Sequence, residues 1–365
     1  PDSWERSHYA DLIRNARKDG ARAVAFDVSF ANPAQGDEDL ATAIEDSMRP
    51  TDGAAPMPVI LGVLGMGQAR PSAGKGLGFS SFQEIAPDVA KGRPIRAALN
   101  VELDGGVARE LALNVFSGAE QYQPLPLLAA NAYAAGSPDL KGGYRLETTP
   151  NRVGFGCSAQ TGACTYEVPT DELFQMRLAY DAAPGAYARQ AISAASIADG
   201  QADPAAVRDK LVLVGAFPSK DGYAVPTSVD VTMPRVEIWA NLAQSLLSGR
   251  FIAPQPLWTT AAIMLVLSVV AAGCFLRFGA FGWIAALSLV LIASAARYVL
   301  AAAQLATPAN GHEQITMMPE FLYVDAAVIL SSAALCLCLW ASNRRACDKG
   351  APADANAGAS PETPA

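Results

Sequence analysis

Three apolar runs in the last third of the chain constrain what it can become more than any other feature. Residues 251–276 carry no charged side chain, residues 278–296 carry none, and Arg277 stands alone between them. A third run, residues 321–342, holds only Asp325, close to its start. Each run contains roughly the 20 mostly apolar residues with which a helix crosses about 30 Å of hydrocarbon. The sequence therefore predicts transmembrane helices over residues 257–276, 278–300 and 321–342.

Orientation follows from the Lys/Arg bias of the short loops. Arg277 lies in the turn between the first two runs, and Arg344, Arg345 and Lys349 follow the third. The connection QLATPANGHEQITMMPE has two Glu and neither Lys nor Arg. This places Arg277 and the tail, residues 343–365, in the cytoplasm, and residues 1–253 outside the cell membrane, in the periplasm or beyond. Trp258, Trp283, Tyr298, Tyr323 and Trp340 fall near the helix ends, at headgroup depth. Arg297 and Asp325 fall at the outer interface, where a charge needs no transport pathway to explain it. An exported domain needs a targeting segment, yet the chain opens PDSWERSHYADLI, without an initiator Met, a basic segment or an apolar stretch. A signal peptide or anchor upstream of Pro1 is the expectation. The tail is Ala/Pro/Gly-rich and is expected to be disordered.

The exported part holds 22 Lys and Arg against 29 Asp and Glu. Its acidity disfavours nucleic acid and anionic lipid as electrostatic partners. Only Cys157 and Cys164 of the six cysteines lie there, flanking a Ser/Gln/Thr/Gly turn between strand-like arms. Two thiols without a third ligand do not make a zinc site, and an oxidising compartment makes a disulfide the expected state. No metal and no cofactor is expected.

Within residues 1–253 the pattern is α/β. Tyr9, Leu12, Ile13 and Ala16 recur at helical spacing. In ARAVAFDVSF a bulky face of Val24, Phe26, Val28 and Phe30 alternates with a small one, predicting a strand; a helix over residues 40–48 and the strand PVILGVLG follow. Helix, strand, helix, strand implies parallel pairing, hence a mixed, largely parallel sheet with flanking helices. Turn residues Asp104, Gly105 and Gly106 between apolar arms suggest a hairpin, and AYARQAISAASIADG a helix. DKLVLVGAF is expected to be a buried strand, and residues 234–247 an amphipathic helix entered through Pro234 and stopped by Gly249.

The acids of GARAVAFDVSFANPAQGDEDLATAIEDS divide into two kinds. Asp37 stands where an N-cap is wanted, with Glu38 and Asp39 in the first turn, where the helix dipole favours negative charge. Asp27 instead sits near the carboxyl end of a parallel strand, the edge where α/β folds place ligands. The Gly-rich run GVLGMGQARPSAGKGLG is no phosphate loop, because Ala69 and Gly76 stand where Gly and Ser/Thr are required. The exported part has one histidine, His8, and no Gly-x-Ser-x-Gly elbow. No catalytic residue is assigned and an enzyme is not expected.

In order and spacing these segments resemble the second type of the CHASE sensory domain family, the extracellular input modules of cyclases and histidine kinases. GARAVAFDVSF and the acidic stretch after it look like the family's opening strand and helix, and DKLVLVGAF like its second signature strand. SKDGYAVPTS is similar to the loop that follows, and MPRVEIWANLAQSLLSGRFI to the closing helix that leads into the membrane. The likeness implies an α/β sensor followed by three membrane helices, and carries Asp27, Asp221 and Thr227 as candidate ligand-binding residues. Arg235 stands where the family often has Gly, and Trp239 where it often has His, so no role of that histidine carries over. The 23 residues after the third run hold no cyclase or kinase. Output would pass to a separate cyclase or kinase effector, unless the natural chain continues. The reading from the sequence is a membrane-anchored extracytoplasmic sensor of an unnamed ligand, without a catalytic module of its own. A non-signalling membrane-bound scaffold or envelope protein is the alternative.

Overall fold

Four short apolar strands form the centre of the fold, in the spatial order Leu211–Val214, Ala23–Ser29, Val59–Val63, Ile95–Ala98, and all three pairings are parallel. The computed structural model describes residues 4–49, 55–71, 76–101, 103, 107–135, 144–146, 152–155, 157, 164, 166–180, 185–217, 224–225, 227, 230, 233–254 and 314–318, and six helical positions between 262 and 273. It divides into one unit of residues 1–254 with 304–317, and a second of residues 255–303 with 318–365.

The two faces of Ala23–Ser29 explain the layering. The bulky face, Val24 and Phe26, packs with Leu12, Ile13, Leu40 and Ile44 from helices Arg6–Lys18 and Asp37–Met48. The small face, Ala23 and Ala25, packs with Leu127, Trp239 and Leu242 from helices Leu125–Ala135 and Arg235–Ser248. Small side chains on one face let two helices come down close to the sheet, while large ones fill the space on the other. Burying a side chain such as Phe26 or Leu12 contributes roughly 1.5–3 kcal/mol, so this double-sided core dominates the domain's stability.

The helix that closes the domain ends at Gly249, whose φ of 67° is left-handed, the usual helix stop. A side chain at that position would meet the Tyr166 ring at 2.7 Å. The chain then runs as strand Arg250–Pro254 in a second sheet, ordered Gln314–Met318, Arg250–Pro254, Gln175–Arg177, Glu110–Ala112. Tyr166 stacks on Phe155 and meets Phe251 edge-on. Both tyrosine and Phe155 belong to the hairpin Arg152–Phe155 with Tyr166–Pro169, beyond which Cys157 and Cys164 form a disulfide.

Four local expectations are corrected. Ile95–Ala98 and Glu110–Ala112 do not pair as a hairpin about residues 104–106; they lie in different sheets. Residues 186–200 are not one helix but a 3-10 turn, Ala188–Gln190, and a short helix, Ala194–Ala198, because Ala191 and Ser193 are extended. Asp37 is not the N-cap. Gly36, with φ of 91°, takes that place, and Asp37 is drawn into an ion pair with Arg6 at 2.9 Å. Leu211–Val214 is not fully buried: among the described residues it is the outermost strand of the parallel sheet on that side, with three of its four residues half-buried.

The segments 257–276, 278–300 and 321–342 and the tail lie outside the described residues, apart from those six helical positions. Among the described residues no helix is long and apolar enough to cross a membrane. Leu265, Val266 and Val269 are helical and well exposed.

Candidate functional site

The carboxyl edge of the parallel sheet gathers its polar groups around Asp27. Pairing between Ala23–Ser29 and Val59–Val63 jumps from Phe26 opposite Leu61 to Ser29 opposite Gly62, so Asp27 and Val28 sit in a bulge. Bulges re-aim side chains at strand ends, and Asp27 is buried. The adjacent strand, Leu211–Val214, is followed directly by Gly215. A Cβ there would stand 2.8 Å from Cβ of Val236 and 3.1 Å from Cβ of Asp27, so a glycine is what allows helix Arg235–Ser248 to begin directly over the strand end.

The first residue of that helix provides the counter-charge. Arg235 Nε donates to Asp27 Oδ1 at 2.8 Å, with the two side chains 17% and 3% exposed. One turn further on, Trp239 is fully buried, its indole N–H turned toward the carboxylate without meeting hydrogen-bond geometry. Burial pushes the Asp27 carboxyl above its ordinary pKa, and the Arg235 charge and hydrogen bond, with the Trp239 N–H, act against that. Desolvation prevails because the nearest compensating group is a single guanidinium bond. Glu237 is buried in the same first turn; its Oε1 accepts from the Tyr187 main-chain N–H at 3.4 Å and its Oε2 has no partner among the described residues.

Chemically the arrangement is a lock. The ion pair spans 208 residues of sequence and ties the central strand to the helix that precedes strand Arg250–Pro254. The Asp27 carboxylate, a candidate ligand contact in the sequence, is occupied by the protein's own arginine. Thr227 is built into a turn: its hydroxyl accepts from the Asp230 N–H and donates to the Asp230 carbonyl, both at 2.9 Å. Asp221 lies outside the described residues. The sequence reading marked Arg235 only as a departure, yet it is the residue that completes the site. The signal was there in a long cation and a large indole one turn apart, facing a buried strand-end acid.

A family model described as the CHASE2 domain matches residues 1–276. Neither a curated protein nor a solved structure matches the chain.

Proposed function

The chain belongs to the CHASE2 domain family, a family of extracellular sensory domains, and from that premise we propose that it is the input part of a transmembrane signalling system. In this reading residues 1–253 face outward from the cell membrane, three helices anchor them, and a separate cyclase or kinase receives the output. The carrying observation is the route from sheet to exit. Asp27 holds Arg235, the helix Arg235–Ser248 stops at Gly249, and Arg250–Pro254 pairs beside Gln314–Met318. That pairing supports the proposed topology, because it returns the connection between the second and third apolar runs to the sheet from which the chain departs. Two crossings between residues 254 and 314 satisfy this arrangement. The exposed Leu265, Val266 and Val269 also support it, since a bilayer would cover them.

A stimulus that favours one arrangement of the carboxyl edge would shift the helix Arg235–Ser248 and with it the strand entering the membrane. No catalytic role is proposed for any residue.

The test uses the full chain in lipid nanodiscs. A thermal-shift screen against small molecules and envelope components identifies a stabilising ligand, and hydrogen exchange then reads helix Arg235–Ser248 and strand Arg250–Pro254. Altered exchange in both supports a sensor. Stabilisation with unchanged exchange there favours the scaffold reading. In intact cells, a membrane-impermeant maleimide should label a cysteine placed at Ser117 and not one at Arg345; the reverse would sink the topology.

A further inference from the structure

The hairpin of Arg152–Phe155 and Tyr166–Pro169 joins the disulfide to the end of the domain's closing helix. Its register sets Gly154 opposite Glu167 and Phe155 opposite Tyr166, and Gly154 also pairs with Arg145 on its other side. Continued by two residues, that register places Cys157 opposite Cys164, and the two are bonded to each other. Both sulfurs lie against the glycine: a Cβ at Gly154 would stand 2.5 Å from Cys164 Sγ and 2.8 Å from Cys157 Sγ. The disulfide thus fills the space that a side chain at Gly154 would need, and the packing leaves no slack between them.

The same hairpin supports the helix stop and the strand after it. The Tyr166 ring lies close under Gly249 and meets Phe251 edge-on, with the centroids 6.2 Å apart. Phe155 and Phe251 are buried in one core with Trp239, Leu242 and Leu246 of helix Arg235–Ser248. Each arm of the hairpin is four residues long, so few ladder bonds hold it. Covalent closure two residues beyond Phe155 and Tyr166 therefore restrains that pair. Cys157 is buried while Cys164 is half-buried, so solvent reaches the bond from the Cys164 side.

We infer that the Cys157–Cys164 bond is a redox-sensitive switch that sets the packing of strand Arg250–Pro254. A thiolate of an external dithiol attacks Cys164 Sγ; the S–S bond breaks and its electron pair leaves on Cys157 Sγ, which takes up a proton. The second thiol of the reductant, as thiolate, then displaces Cys164 Sγ, which is protonated in turn. The cysteines gain two electrons and two protons, and the dithiol that supplies them ends as a disulfide. Two unbonded sulfurs need more room than one disulfide, and Gly154 already touches both. Reduction therefore moves Gly154 and loosens the adjoining Phe155–Tyr166 pair, and the Tyr166 ring carries the change to Gly249 and Phe251. The link is the same whether or not a signalling partner follows.

The probe is dithiothreitol, added at low millimolar concentration to the full chain in nanodiscs, with alkylation of Cys157 and Cys164 read by peptide mass spectrometry. Both should become alkylated without denaturant. Residue-level hydrogen exchange should then quicken roughly tenfold at Phe251 and Ile252, while helices Arg6–Lys18 and Asp37–Met48 stay within about twofold. Re-oxidation with oxidised glutathione should restore the original exchange. In Tyr166→Ala, which keeps both cysteines, reduction should proceed as before yet change exchange at Phe251 by less than about twofold. Alkylation only after unfolding, faster exchange across the whole domain, unchanged exchange at Phe251, no recovery on re-oxidation, or an undiminished response in Tyr166→Ala would each overturn the inference. Should that variant fail to fold, the wild-type outcomes decide alone.

Discussion

Two carboxylates ten residues apart, Asp27 and Asp37, each meet an arginine in a largely buried setting, and they do different work. Asp37 joins Arg6 across 31 residues, within the layer formed by helices Arg6–Lys18 and Asp37–Met48. It has a second donor, the Ala34 N–H at 2.9 Å, and Arg6 also lies over the Phe30 ring and donates to the Asn32 carbonyl. Asp27 joins Arg235 across 208 residues and has no other hydrogen bond among the described residues. The first pair is one contact among several that hold a local corner. The second is a single tie between the first strand of the sheet and the helix before strand Arg250–Pro254. Similar chemistry thus serves packing in one region and long-range attachment in the other, and the number of alternative donors separates them.

The largest expected effect comes from removing the lone partner. Arg235→Ala should lower unfolding free energy by about 3 kcal/mol, the scale for a buried charge left without its counter-ion, measured by chemical denaturation. Arg6→Ala should cost about 1 kcal/mol, because the Ala34 N–H still satisfies Asp37 and an ion pair with other donors near by is replaceable. If the two substitutions cost the same, the distinction between the regions fails. The smallest effect is in pH. The folded state holds the Asp27 proton more tightly than the unfolded state does, because burial raises its pKa. Stability from protonated Asp27 is complete below the ordinary value of about 4 and is lost as pH rises through the raised value. The wild-type chain should therefore lose stability relative to Asp27→Asn across that window. Parallel denaturation curves for the two chains would remove the desolvation argument.

Much of this layout was legible in the residues. Periodicity placed the helix carrying Tyr9, Leu12 and Ile13 and the two-faced strand at Phe26, because burial enforces both patterns directly. Pro234 and Gly249 marked the closing helix to within a residue. What the sequence did not disclose were pairings set by distance in space. Nothing local distinguishes Leu211–Val214 at a sheet edge from a fully buried strand, since both read as apolar runs. The partner of Asp27 lay 208 residues away, and the partner of Asp37 was hidden by the nearer and simpler expectation of a cap. Glu237 looked like an ordinary acid in a first helical turn and is fully buried.

The tie between the sheet and strand Arg250–Pro254 is tested most directly by residue-level hydrogen exchange on the full chain in nanodiscs, comparing Arg235→Ala with Arg6→Ala. Arg235→Ala should speed exchange at least tenfold along helix Arg235–Ser248 and into Arg250–Pro254, while Arg6→Ala leaves both within about twofold of wild type. Equal protection of those two elements in the two variants would contradict a tie from the sheet to strand Arg250–Pro254 that runs through Asp27 and Arg235.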